Sequence, residues 1–98
     1  VNDFAKLMAS ARRLAILKLL ASSAGYSANE YLLHMALPGQ GHNPSAQDVR
    51  DDLAWLWEQK LVQVDETGEM MIAKITQHGL DVQDGRAFVE GVKRPVPS

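Results

Sequence analysis

The sequence predicts a small α+β domain built from three helices, a two-stranded β hairpin and a short C-terminal helical segment. Apolar residues recur at helical spacing through Phe4–Leu20, Tyr31–Ala36 and Val49–Leu56. Two short runs with strand character, Leu61–Val64 and Met70–Ile75, flank Asp65-Glu66-Thr67-Gly68-Glu69, where Gly68 can supply the backbone freedom a hairpin turn needs. With 98 residues and a hydrophobic fraction of 46%, the chain is sized for one domain with one modest core. Residues 1–90 are assigned to that domain and 91–98, GVKRPVPS, to an extended tail.

Each element has a local cause. Asp3 is placed to cap a first helix running to about Ala21, with Phe4, Leu7, Met8, Ala11, Leu14 and Leu17 on one face. Its last turns, with Ile16, Leu17, Leu19 and Leu20, are apolar nearly all round and should be buried on several sides. Ser22-Ser23-Ala24-Gly25 ends it, Gly25 taking a left-handed conformation. A second helix is expected from about Ala28 to Leu37, with Ser27 as cap and Glu30 completing a capping box. Pro38-Gly39-Gln40-Gly41-His42-Asn43-Pro44 then breaks the chain. Ser45 and Asp48 form a capping pair at the start of a third helix, whose face is defined by Val49, Leu53, Leu56 and Lys60. A short helical segment over Gln77–Asp84, weakened by nearby glycines, closes the folded part.

Charge and composition narrow the function. The net charge is −2 and the pI about 5.9, whereas a dedicated non-specific nucleic-acid binder is basic. Positive charge gathers in residues 1–26 (net +3, with Lys6, Arg12, Arg13 and Lys18), while residues 27–60 carry net −3. There is no cysteine, which excludes disulfides and thiolate metal sites. His34, His42 and His78 lack metal-ligand spacing, so no metal or cofactor is expected. No nucleophile, triad or phosphate-loop signature is present, and an enzyme is not expected. No secretory signal pattern opens the chain, and no apolar run nears the roughly 18 residues that span a membrane.

Arg13-Leu14-Ala15-Ile16-Leu17-Lys18-Leu19-Leu20, Leu53-Ala54-Trp55-Leu56-Trp57-Glu58-Gln59-Lys60-Leu61-Val62 and Ile75-Thr76-Gln77-His78-Gly79 together resemble the winged-helix superfamily of small bacterial regulators, the arsenic-repressor and multiple-antibiotic-repressor kinds. Lys60 stands where that pattern usually has glycine. Asn29-Glu30, the Gly41-His42 loop and Gly91-Val92-Lys93-Arg94-Pro95 are similar to small winged-helix proteins of Mu-like bacteriophages and prophages. The resemblance implies a winged helix-turn-helix fold, the third helix acting as recognition helix and the hairpin as a β wing. It also implies a viral protein in the cytoplasm of a bacterial host, acting as a regulator.

Two functions follow for such a chain. As a dimeric transcriptional regulator it would bind double-stranded DNA, with Gln47 and Arg50 reading bases and Arg12, Arg13 and Lys74 steadying the backbone. The outward arc of the third helix opposes this, since Arg50 is its one cation among Asp48, Asp51 and Glu58. The acidic wing tip opposes it too. As an adaptor contacting a phage or host protein, or a second copy, the chain would use Trp55, the 38–44 loop and the tail residues Lys93 and Arg94. Trp57, about 80° from Val49 around the helix, is expected in the core. Trp55, at roughly 240°, is either an exposed contact or covered by a returning C-terminal segment with Phe88 and Val89. The connector 38–44 is about twice the three or four residues usual in a helix-turn-helix.

Overall fold

The structure, a computed structural model, describes residues 3–96. Along the chain come α1 (Asp3–Ala21), β1 (Ser27–Asn29), α2 (Glu30–Ala36), α3 (Ala46–Glu58), β2 (Val62–Asp65), β3 (Ile72–Ile75) and α4 (Gln77–Gln83). Short 3₁₀ turns occupy Ala24–Tyr26 and Leu37–Gln40. The three strands form one antiparallel sheet in the order β1-β3-β2. This α+β arrangement is compatible with a winged helix. It carries one more strand than the expected two.

The added strand moves the start of the second helix. Ser27, Ala28 and Asn29 pair with Lys74, Ala73 and Ile72, so Ser27 is strand and not cap. Asn29 caps instead, its side-chain oxygen accepting from the Leu32 N–H at 2.8 Å. Glu30 is therefore the first residue of α2 and bridges elsewhere. Its carboxylate accepts from the Met71 N–H at 2.6 Å and from Arg50 Nη1 at 3.1 Å. Three residues spelling Ser-Ala-Asn carry little strand propensity, and the ladder with β3 overrides it.

The third helix begins as expected, with a complete capping box between Ser45 and Asp48. Hydrogen bonding to the Ser45 backbone holds the Asp48 carboxyl below its usual pKa. The helix ends in a Schellman motif: the Lys60 N–H reaches the Trp57 carbonyl and the Leu61 N–H the Leu56 carbonyl, both at 2.9 Å. Lys60 has φ +63°, so it takes the left-handed position glycine usually fills and leaves the turn unaltered.

The core is formed by Leu14, Ile16, Leu17 and Leu20 of α1, Leu33 of α2, Leu37, Val49, Leu53 and Leu56 of α3, Leu61 and Val62, Ala73 and Ile75 of β3, Val82 of α4 and Val92. Strand alternation is clear in β3: Ala73 and Ile75 face inward, Ile72 and Lys74 outward. Gly79 sits where α4 touches the turn before β2, and a Cβ there would collide with the Leu61 carbonyl. Thr76 supports the same contact by donating to the Lys60 and Leu61 carbonyls and accepting from the Gly79 N–H. The glycine that weakens this helix is thus the residue that lets it dock.

Two expectations change at the ends of the chain. Phe4, Leu7 and Met8, predicted on the buried face of the first helix, are exposed, because they precede the point where the C-terminal segment crosses α1 at Ser10. The segment expected to be an extended tail from residue 91 is packed at its start: Val92 is in the core and the Lys93 N–H bonds the Ser10 carbonyl. Pro97 and Ser98 lie outside the described residues. Among the described residues no helix is long and apolar enough to cross a membrane.

Candidate functional site

The expected DNA-contacting cations are not gathered into one surface. Arg12 and Arg13 converge on Asp52, which α3 places on its inward side at 2% exposure. Arg12 donates to both Asp52 oxygens, through Nε to Oδ2 and through Nη2 to Oδ1 at 3.2 Å. Arg13 Nε stands 3.5 Å from Asp52 Oδ1, longer than a hydrogen bond, and is otherwise unpartnered. Burial pushes the Asp52 carboxyl up, against the hydrogen bond and charge of Arg12 and the charge of Arg13. The hydrogen bond to Asp52 in turn raises Arg12. Two cations from α1 are consumed in holding one buried acid.

Trp55 belongs to the same cluster. The Arg13 guanidinium lies 4.1 Å over its ring and donates from Nη1 to the Gly91 carbonyl at 3.0 Å. Gly91 has φ +101°, and a Cβ there would stand 2.5 Å from the indole. The returning C-terminal segment therefore covers Trp55. His42, from the 38–44 loop, presents a buried Nδ1 without a hydrogen-bond partner. Burial lowers its pKa, reinforced by the charges of Arg12 and Lys93 and opposed by Asp52.

Trp57 shows the reverse. Expected in the core, it is 40% exposed. The buried arc of α3 runs from Asp52 through Leu56 and Val49 to Leu53, so it turns toward Arg12 and away from Trp57. A buried acid at the edge of the apolar arc, beside Leu56 and next to Arg12 and Arg13, is the signal that was missed.

The remaining expected site residues are scattered. Gln47 bonds Asp51 at 2.8 Å on the exposed face of α3, and Arg50 pairs with Glu30 at 3.1 Å. Lys74 points outward from the sheet, between Ser27 and Gln63 on the neighbouring strands. Lys93 and Arg94 are exposed, Arg94 lying 4.4 Å over the Phe88 ring.

A different surface emerges on α2. Its outward side is apolar: Tyr31 at 60% exposure, Leu32 at 52% and Met35 at 61%. Tyr31 also lines a hollow of about 220 Å³ with Glu30, His34, Ala46 and the exposed Met70. Ala46, Arg50 and Trp57 lie on one stripe of α3, and Ala46 and Arg50 both meet residues of α2 or its hollow. His34 Nε2 lies 3.0 Å from the Pro44 carbonyl and ties α2 to the loop before α3. The sequence signal was a run of apolar residues, Tyr31–Leu33 and Met35–Leu37, broken only by His34 and wider than one buried face needs.

The chain is 41% identical over 97 residues to gp26 of Escherichia phage Mu, described as an uncharacterized protein, covering 99% of this chain and 97% of that one. It belongs to the gp26 family of phage Mu. A second member, an uncharacterized protein of Haemophilus influenzae, is 40% identical over 79 residues, covering 80% of this chain and 76% of its own. The chain matches no family model and no solved structure.

Proposed function

We propose that this chain is a winged-helix protein of phage or prophage that works by protein contact, as a non-catalytic adaptor in the bacterial cytoplasm. One observation carries the reading: of the cations a DNA reader would present, Arg12, Arg13 and Arg50 are engaged by carboxylates within the molecule, leaving Lys74 to solvent, while large apolar side chains are presented outward. Arg12 and Arg13 hold Asp52, and Arg50 holds Glu30. Phosphate contact provides most of the sequence-independent affinity for DNA, so cations already paired contribute little. Tyr31, Leu32, Met35, Trp57 and Met70, with Arg50 among them, have the aromatic, methionine and arginine character of interface cores.

The regulator reading keeps two observations in its favour. The chain order is compatible with a winged helix, and Gln47 stands on the exposed face of its third helix. Binding of the intact chain to mixed duplex DNA, titrated across a salt series, separates the two. The adaptor reading expects no binding even at low salt, and it expects a photo-crosslinker at position 35 to join a partner chain in phage-expressing cells but not when Tyr31→Ser is added. Duplex binding that falls steeply with salt and is lost in Arg50→Ala would return α3 to its role as a DNA reader.

A further inference from the structure

A second surface is built for a different contact. Asp84–Phe88, Arg94–Val96 and the last turns of α1 and α4 enclose an open cleft of about 890 Å³. Its polar lining is mainly cationic, in a chain whose net charge is negative. Arg86 shares its charge with Asp84, at 2.5 Å from Nη2 and 2.7 Å from Nε. Lys18 Nζ meets only a neutral acceptor, the Gln83 carbonyl at 3.3 Å, and Arg94 lies over Phe88. Among the described residues neither Lys18 nor Arg94 is paired with a carboxylate. Phe88, 55% exposed, adds an apolar wall.

The cleft is formed in advance of any occupant. Gly85 adopts φ +85°, and an added Cβ there would reach contact with the Pro95 ring at 3.4 Å, so the two walls run close together. The Arg86 and Ala87 N–H groups bond the Asp81 carbonyl and fix one wall to α4. Buried Val92 and the Lys93–Ser10 bond fix the other to α1. Little ordering cost remains for binding.

The chain itself carries a matching ligand. The wing loop Asp65-Glu66-Thr67-Gly68-Glu69 is exposed throughout and has three carboxylates and no cation. Asp65 spends one oxygen accepting from the Thr67 N–H and hydroxyl, which shapes the loop and leaves Glu66 and Glu69 free to reach out. None of these residues lines the cleft. We infer that the acidic wing loop of a second copy docks in the Lys18–Arg86–Arg94 cleft, joining copies of the chain head to tail. The wing and the cleft are different patches of one molecule, so the contact is heterologous, giving a ring where the rotation closes and an open chain where it does not. It uses neither the α2 face nor the exposed side of α3, and it stands or falls separately from them.

Sedimentation of the intact chain over a range of protein concentration and salt tests this. At low salt the average mass should rise with concentration, and high salt should return it to the monomer, as for exposed ion pairs. Lys18→Glu with Arg94→Glu, or Glu66→Lys with Glu69→Lys, should each remain monomeric under the associating condition, circular dichroism confirming the fold. Mixing the two variants should restore association. A wild-type chain that stays monomeric throughout would overturn the inference, as would variants that associate like wild type. Binding of a free wing-loop peptide to the cleft without self-association would also overturn it, pointing instead to an acidic segment of another protein.

Discussion

Two regions of this molecule treat the same residue types in opposite ways. At the seam of α1, α3 and the C-terminal segment, Arg12, Arg13, Asp52 and Trp55 are turned inward and spent on one another. On the α2 side, Arg50 and Glu30 pair near the surface among Tyr31, Trp57 and Met70, which remain exposed. The difference teaches that arginine and tryptophan in a sequence do not mark an interface by themselves. What matters is whether another segment has already claimed them. The buried pairing is closed off by the returning segment, and the exposed group stays open to solvent.

The largest test of that contrast is Asp52→Ala. It strands two guanidinium groups at a nearly closed seam and should cost about 3 kcal/mol, read by urea unfolding. The matching change on the other side, Glu30→Ala, exposes Arg50 to water and also frees the Met71 N–H. Its cost should be smaller, and equal losses would erase the distinction. Next is Gly91→Ala, which meets both a left-handed backbone and the Trp55 ring. A loss of about 2 kcal/mol is expected, together with a change in tryptophan emission that a Trp55→Phe background removes. Ser45→Ala deletes a cap that belongs to neither region and should cost about 1 kcal/mol. It calibrates the scale for the other three.

The smallest effect concerns pH at the seam. His42 has its pKa depressed below the ordinary 6.5, by burial first and then by Arg12. The unfolded chain therefore takes up a proton at a higher pH than the folded one. Stability should fall as pH is lowered from 6.5 through the depressed value. His42→Leu should flatten that part of a pH–stability profile. An unchanged slope would remove His42 from the seam's electrostatics.

Much of the fold was legible because its signals are local. The Ser45 capping box, the breaking loop 38–44, the left-handed Gly25 and the hairpin all depend on neighbours in sequence. β1 was not legible, since Ser27–Asn29 becomes a strand only through β3, some 45 residues away. Trp57 was misplaced for a similar reason, while of the two places open to Trp55 the covered one is found, with Gly91 against its ring. Helical periodicity centres the core on the leucines and has no means of knowing that Arg12 and Arg13 arrive on the Asp52 side. Of the residues expected at a site, Gln47 and Lys74 are exposed as required, whereas Arg12, Arg13 and Arg50 are engaged and Trp55 is covered. The Lys93 and Arg94 side chains are free to solvent, but their backbone is anchored through Val92 and Ser10.

The bond from Arg13 to the Gly91 carbonyl closes a span of 78 residues. During synthesis, a ribosome releases Arg12, Arg13 and Asp52 long before the segment that shields them. The nascent chain must carry this charge cluster and the Trp55 ring uncovered until residues 91–93 emerge, and contacts of such long range are made late and slowly. Closure of the seam therefore waits for residues 91–93 to reach α1 and α3.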